Sequence, residues 1–287
     1  MNEEKKAKEK RIGIIGVGNI GMAILRGLLA AEPEVKIFVS DVNPEKLRFF
    51  DAHKESRVAI CKSNEETAKK SEVVILAVKP NDVRGVVEEI APVMNEEKML
   101  ISIAAGVPTG AIEEYLGKAG GRKVIRAMPN IGARVRAAVS ATCKGEYAKD
   151  EDEEIAKGIL SAIGEVHSVK ESDMDVITGL SGSGIAFFAA VIDAMADGGV
   201  YEGLPRDLSL AIACETAMGA AKMILAGDKP SEIETMTASP GGTTIRGLYV
   251  MESRGVKAAM MEAVIEATRR AREISKQTNR QSGITRK

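Results

Sequence analysis

The sequence predicts an α/β domain built on a mostly parallel sheet with helices on both faces, followed by an all-α domain. Three observations carry this: short apolar, β-branched runs alternate with helical patterns through the first half, the strand signal stops near residue 170, and long Ala- and Met-rich helical patterns fill the rest.

The runs RIGIIG, VKIFVS, RVAIC, EVVILAVK, MLISIAA and KVIRAM are apolar on both faces and bounded by Gly, Pro, Asn or charge. Continuous apolar strands separated by helices predict a parallel sheet covered on both sides. AVSATC and GEVHSV predict one or two further strands at the sheet edge. Beyond residue 170, DVITGLSGSGIAFFAAVIDAMADGGV, PRDLSLAIACETAMGAAKMILAG and GVKAAMMEAVIEATRRAREI predict three long helices, with Pro205 and Pro230 marking helix starts. The first two are apolar almost all round, which requires burial on more than one side and predicts burial against a second copy of the chain.

Composition narrows the function. The 287 residues suit about two domains, and a net charge of −1 supplies no field for nucleic acid or an anionic membrane. Five Phe, four Tyr and no Trp leave few platforms for stacking bases, so no nucleic-acid partner is expected. Cys61, Cys143 and Cys214 are widely spaced in apolar surroundings and predict reduced core thiols in a cytoplasmic protein, with no disulfide framework and no metal site. MNEEKKAKEKR lacks the apolar core of a signal peptide, and no apolar run reaches the roughly 18 residues a membrane helix needs, so no membrane partner is expected.

The first strand runs straight into GVGNIGMAILRGLL, which places Gly16, Gly18 and Gly21 in G-x-G-x-x-G spacing. Gly16 permits the tight turn, Gly18 lets a pyrophosphate approach the backbone, and Gly21 lets the helix pack close to the sheet. The helix start then offers N–H groups and a favourable dipole to phosphates. This is the fingerprint of a Rossmann-type dinucleotide-binding domain. Asp41, at the end of the second strand, suits a ribose 2′-OH and would repel a 2′-phosphate, and Val42 stands where an arginine would help; NADH is favoured mildly over NADPH. The alternative for Asp41 is a turn cap in DVNPEK. Lys79, at the end of AVKP, is equally a ligand contact or a solvated surface group. Further polar punctuation follows the strands at IAAGVP and RAMPN. His53 and His167 read as structural, and no nucleophilic triad or metal-ligand spacing occurs. In GLSGSG, within the expected buried helix, small residues serve close packing or border the nicotinamide. Finally, TASPGGTTIRG offers two glycines at a bend and open N–H groups, followed at once by two hydroxyls.

Taken together, GVGNIGMAI, AVKP, AAGV, MPN, GLSGSG, DAMADGGVYEGLPR and above all SPGGTTIRGL resemble pyrroline-5-carboxylate reductases, in family order from about Arg11 to Ile274. The resemblance implies a Rossmann domain over residues 11–170 and a helical dimerisation and substrate domain over 171–276, with a disordered tail at 1–10 and a flexible one at 277–287. It implies hydride transfer from NADH or NADPH to the C=N bond of 1-pyrroline-5-carboxylate, giving L-proline, in a homodimer whose dimers assemble further, up to a decamer of dimers. Carried over, the cofactor contacts are Ile15, Gly16, Val17, Gly18, Asn19, Ile20, Gly21, Ser40, Asp41, Asn64, Val78, Lys79 and Ala105. The substrate is expected at Ser239, Gly241, Gly242, Thr243 and Thr244, with the Gly242 and Thr243 amides on its carboxylate and the Thr244 hydroxyl as the catalytic group near the ring nitrogen. The chain departs from the family at Ile185, Phe187 and Met236, and in MPNIG.

A cyclic imine is protonated far more readily than a carbonyl, which suits a reductase poor in histidine. Two rivals remain at this stage. A β-hydroxyacid-type dehydrogenase would set a lysine on the first helix after the sheet, where this chain has none; a non-catalytic redox sensor would not need an intact PGGTT loop.

Overall fold

The computed structural model describes residues 10–53, 55–117 and 121–281. These form two compact units, one of the described residues up to 182 together with 267–281, the other of residues 183–266. Within the first unit, eight strands form one sheet: β1 (Lys10–Ile15), β2 (Val35–Ser40), β3 (Val58–Ile60), β4 (Val73–Leu76), β5 (Met99–Ser102), β6 (Lys123–Pro129), β7 (Ala138–Lys144) and β8 (Gly164–Ser168). Their order is β3-β2-β1-β4-β5-β6-β7-β8, and every neighbouring pair is parallel except the antiparallel β6–β7. The order reverses between β1 and β4, the switch point beside which ligands of open α/β sheets bind.

The helices of this sheet are α1 (Asn19–Ala31), α2 (Pro44–His53), α3 (Asn64–Lys70), α4 (Val83–Ile90), α5 (Thr109–Leu116) and α6 (Asp150–Leu160). Alternate strand residues feed two cores, as the period of two demands. Ile12, Ile14, Ile75, Ile101 and Ile125 pack with α1 and α6 on one face. Val74, Leu76, Leu100 and Val124 pack with α3, α4 and α5 on the other. Both faces are therefore covered, as the unbroken apolar runs required.

Several expectations need correction. Of the two added strands only β8 lies at a sheet edge, opposite the β3 edge; β7 lies inside, between β6 and β8. Lys10 opens β1 instead of closing the tail, and residues 1–9 lie outside the described residues. The helix expected over 175–200 is three pieces: α7 (Met174–Ile177), a π-turn at Thr178–Gly182, and α8 (Gly184–Tyr201). The interruption follows from Gly179, where a Cβ would sit 2.7 Å from the backbone nitrogen of Thr268, and from a glycine-serine run that supports a regular helix poorly.

The second unit holds α8, α9 (Arg206–Leu225), α10 (Pro230–Thr237), α11 (Thr243–Ser253) and the first part of α12 (Val256–Gln281). α8 and α9 pack as a hairpin. The Ser209 hydroxyl donates 2.7 Å to the Ala196 carbonyl, in space that a side chain at Gly199 would occupy, and Arg206 forks between Asp193 and Asp197. Gly255, at φ 66°, separates α11 from α12. α12 continues to Gln281, past the expected start of the flexible tail; residues 282–287 lie outside the described residues.

Exposure corrects one further expectation. Cys61 and Cys143 are buried, but Cys214 on α9 is exposed in the single chain, so it is no core thiol within one copy. α8 is exposed along most of its length in one chain, which leaves free the face expected to meet a second copy. Two helical stretches, Glu171–Tyr201 and Arg206–Leu225, are also long and apolar enough to cross a membrane by length and composition alone. The sequence reading missed them because glycine, serine and single charges break each run without lowering its average hydropathy much.

Candidate functional site

The carboxyl ends of the central strands gather the expected dinucleotide contacts. Ile15 closes β1, and its carbonyl accepts the Ala77 N–H at 2.8 Å, while the Gly16 N–H donates 2.8 Å to the Ser40 carbonyl. Gly16 has φ 94°, and a Cβ there would meet the Ala77 carbonyl oxygen at 2.7 Å. A Cβ on Gly21 would overlap the Gly16 carbonyl oxygen. Gly18 differs: a Cβ would meet nothing within 4 Å. Its lack of a side chain is thus unexplained by packing within the chain, and it fits a ligand that must approach the backbone. Gly18 is also the N-cap of α1 and makes no side-chain cap, so the first-turn amides of Asn19, Ile20 and Gly21 face outward with the helix dipole behind them. These features fit the pyrophosphate of a dinucleotide.

Asp41 is more committed than its sequence position suggests. Its Oδ2 accepts the Val17 N–H at 2.8 Å, its Oδ1 accepts the Asn43 N–H at 2.8 Å, and Lys46 Nζ lies 3.2 Å from Oδ2. Burial alone would raise its pKa; the Asn43, Val17 and Lys46 contacts outweigh that and hold the carboxyl below its ordinary value. Asp41 therefore does cap the DVNPEK turn, and it also braces the glycine loop. The Ser40 hydroxyl donates 2.8 Å to Asn64 Oδ1, and the Asn64 amide donates 2.7 Å to Glu89, fixing the start of α3 beside β2. Val78 is half-buried and Lys79 exposed at the end of β4, and Ala105 follows β5 just before Gly106, which has φ 76°.

The sequence marks Asn130 and Arg126, in RAMPN, only as polar punctuation after a strand, and sequence reasoning missed Glu171; together these groups hold this rim. The Asn130 carbonyl oxygen accepts the Gly132 N–H at 3.1 Å and the Val139 N–H at 3.3 Å, and its amide donates 2.9 Å to the Ser181 hydroxyl. Glu171 accepts the Thr109 N–H at 2.7 Å and its hydroxyl at 3.0 Å, with Arg126 at 3.4 Å. Those partners lie 62 and 45 residues from Glu171, with no local signature. Burial, with Glu171 nearby, pushes the Cys143 thiol up to about 12, so it stays protonated. His167 is exposed on β8, and the side chain of His53 lies outside the described residues.

In the second unit, Gly241 has φ 69° and Gly242 is the N-cap of α11, again without a side-chain cap. The Gly242 N–H donates 3.0 Å to the Ser239 carbonyl, and a Cβ on Gly242 would overlap the Ser239 hydroxyl. The Gly242 amide expected on a ligand is therefore spent closing the turn. The Thr243 and Thr244 amides at the helix start have no intrahelical acceptor, and Thr244 is half-buried where Thr243 and Ser239 are exposed.

A doubly wound sheet with an uncapped, glycine-lined first βα turn, followed by a helical unit, defines a Rossmann-type dinucleotide-binding protein. Comparison with known proteins sharpens this. Residues 171–274 match the pyrroline-5-carboxylate reductase dimerisation family, and residues 11–106 match the coenzyme F420-dependent NADP oxidoreductase family. A pyrroline-5-carboxylate reductase of Methanosarcina acetivorans is 43% identical, the alignment covering 94% of this chain and 99% of the relative. The structure of a pyrroline-5-carboxylate reductase from Coxiella burnetii matches with TM-score 0.85 at 32% identity, over 93% of this chain and 98% of that one. The NADP-bound Plasmodium falciparum pyrroline carboxylate reductase matches with TM-score 0.81 at 30% identity, over 93% and 98%. The chain belongs to the pyrroline-5-carboxylate reductase family.

Proposed function

We propose that the chain reduces the C=N bond of 1-pyrroline-5-carboxylate to L-proline, with residues 239–244 holding the substrate and the rim of β1, β2, β4 and β5 holding a nicotinamide dinucleotide. The observation that carries the substrate half is the uncapped start of α11: amides aimed outward, a positive helix end and a hydroxyl within one turn. When bound, the reduced nicotinamide supplies a hydride. The chain's own task is positioning. The Thr243 and Thr244 amides take the substrate carboxylate, Gly241 and Gly242 keep that corner free of side chains, and the Thr244 hydroxyl hydrogen-bonds the ring nitrogen as it becomes an amine. The imine nitrogen takes its proton from water near neutral pH, so no histidine acid is required.

NADH is the preferred donor by a modest factor. Asp41 is ionised at neutral pH and Val42 offers no cation, while Lys46 offsets part of the repulsion a 2′-phosphate would meet. We assign residues 11–170 to the dinucleotide-binding domain and 171–276 to dimerisation and substrate binding, in a cytoplasmic homodimer. Phe188, Met195, Ile212, Met251 and Met261 are each at least half exposed in one chain, and this apolar surface supports cover by a second copy rather than by lipid.

The test follows NADH oxidation with synthetic 1-pyrroline-5-carboxylate while L-proline is quantified. One proline per NADH consumed supports the assignment. Cofactor binding without turnover would favour a sensor instead.

A further inference from the structure

Beside the glycine loop, a cavity of about 820 Å³ runs along α1, with Gly18 and Asn19 among its lining residues. Four cations line it, Arg26, Lys46, Arg134 and Arg136, against a single carboxylate, Glu45. Lys46 is engaged by Asp41. Arg134 and Arg136 make no ion pair and no side-chain hydrogen bond among the described residues.

The loop that carries these two arginines is rigidly built. Arg136 is the only non-glycine residue with positive φ among the described residues, at 55°. That conformation costs free energy and persists only when its surroundings impose it. Here the Arg136 N–H donates to the Ala133 carbonyl at 3.2 Å, the Ala137 N–H donates to Gly132 at 3.1 Å, and Asn130 anchors both flanks. A strained residue whose guanidinium lacks a protein partner, sharing a cavity with open helix-start amides, calls for an anion.

We propose that Arg134 and Arg136 form a second phosphate clamp facing the first turn of α1, which takes phosphate groups of the dinucleotide. The inference rests on the dinucleotide reading above and adds two residues that the glycine fingerprint does not contain. Two phosphate sources share this chemistry, the pyrophosphate and the 2′-phosphate.

The test is calorimetric titration of the full-length protein with ADP-ribose and with 2′-phospho-ADP-ribose. Arg134→Gln and Arg136→Gln should each weaken binding by about tenfold, the usual weight of one charge-assisted contact, and each should flatten the salt dependence. Loss with both ligands assigns the clamp to the pyrophosphate; loss with the 2′-phosphorylated ligand alone assigns it to that phosphate. Arg136→Gly guards against a folding artefact: it relieves the left-handed backbone, so it should melt no lower than wild type yet bind less tightly. Unchanged affinity in the double Gln variant overturns the clamp. A wild-type protein that binds neither ligand removes the dinucleotide reading, and the clamp with it.

Discussion

Replacing Asp41 with alanine removes one carboxylate that serves three partners, and each loss can be sized. The Val17 N–H is in a buried residue, so leaving it without its charged acceptor costs about 1.5–3 kcal/mol. The Asn43 N–H is exposed and recovers a water, at about 0.5 kcal/mol. The Lys46 pair is half in solvent on the lysine side and contributes about 0–1 kcal/mol. The sum, about 2–4.5 kcal/mol, is a large fraction of a typical stability of roughly 5–15 kcal/mol. Thermal melting by circular dichroism should fall by about 5–10 °C at pH 7. The pH dependence has a defined sign. A carboxyl whose folded pKa is lowered stabilises above its unfolded value, near about 4, and loses that contribution as pH falls through the folded value. The gap between wild type and Asp41→Ala should therefore be full at neutral pH and close below about pH 4. NADH binding should weaken as well, because the loop loses its brace. A variant that melts within about 1 °C of wild type and binds NADH equally would refute this reading of the Asp41 contacts.

Three further outcomes are expected. Gly18→Ala should leave the melting temperature unchanged, since the added methyl enters open space, yet weaken NADH binding; Gly21→Ala should lower both, because its methyl meets the Gly16 carbonyl. Isothermal titration alongside melting separates the two, and equal behaviour of both variants would contradict the geometry. Thr244→Val should reduce kcat/KM by about 1.5–3 kcal/mol, or roughly 10- to 150-fold, and unchanged kinetics would remove Thr244 from the mechanism. Asn130→Ala leaves two backbone amides without an acceptor and should destabilise by about 2–4 kcal/mol, measured by urea denaturation.

The parts of the fold legible in the sequence were those encoded locally. Apolar strands such as VKIFVS and the spacing of Gly16, Gly18 and Gly21 depend on neighbours a few residues apart, and the structure reproduces them. The helix break at Thr178–Gly182 was legible only in part: the glycine-serine run is local, but the close approach of Gly179 to Thr268 joins residues nearly ninety positions apart. Nor was the interior place of β7, since strand order is a property of the whole sheet. At the site, Asp41 was read as a ligand group from its place after β2, while its hydrogen bond to Val17 spans 24 residues and needed coordinates. Arg134 and Arg136 follow MPN in a glycine-bearing loop, a local pattern with no binding signature, and the cavity they line is visible only in the folded chain.

The most direct measurement is a crystal structure of the protein soaked with L-proline. The proline carboxylate should lie within hydrogen-bond distance of the Thr243 and Thr244 amides, with the ring nitrogen beside the Thr244 hydroxyl. Proline bound away from the Gly241–Gly242 corner, with that corner left to solvent, would contradict the central claim that a bare helix start grips the substrate.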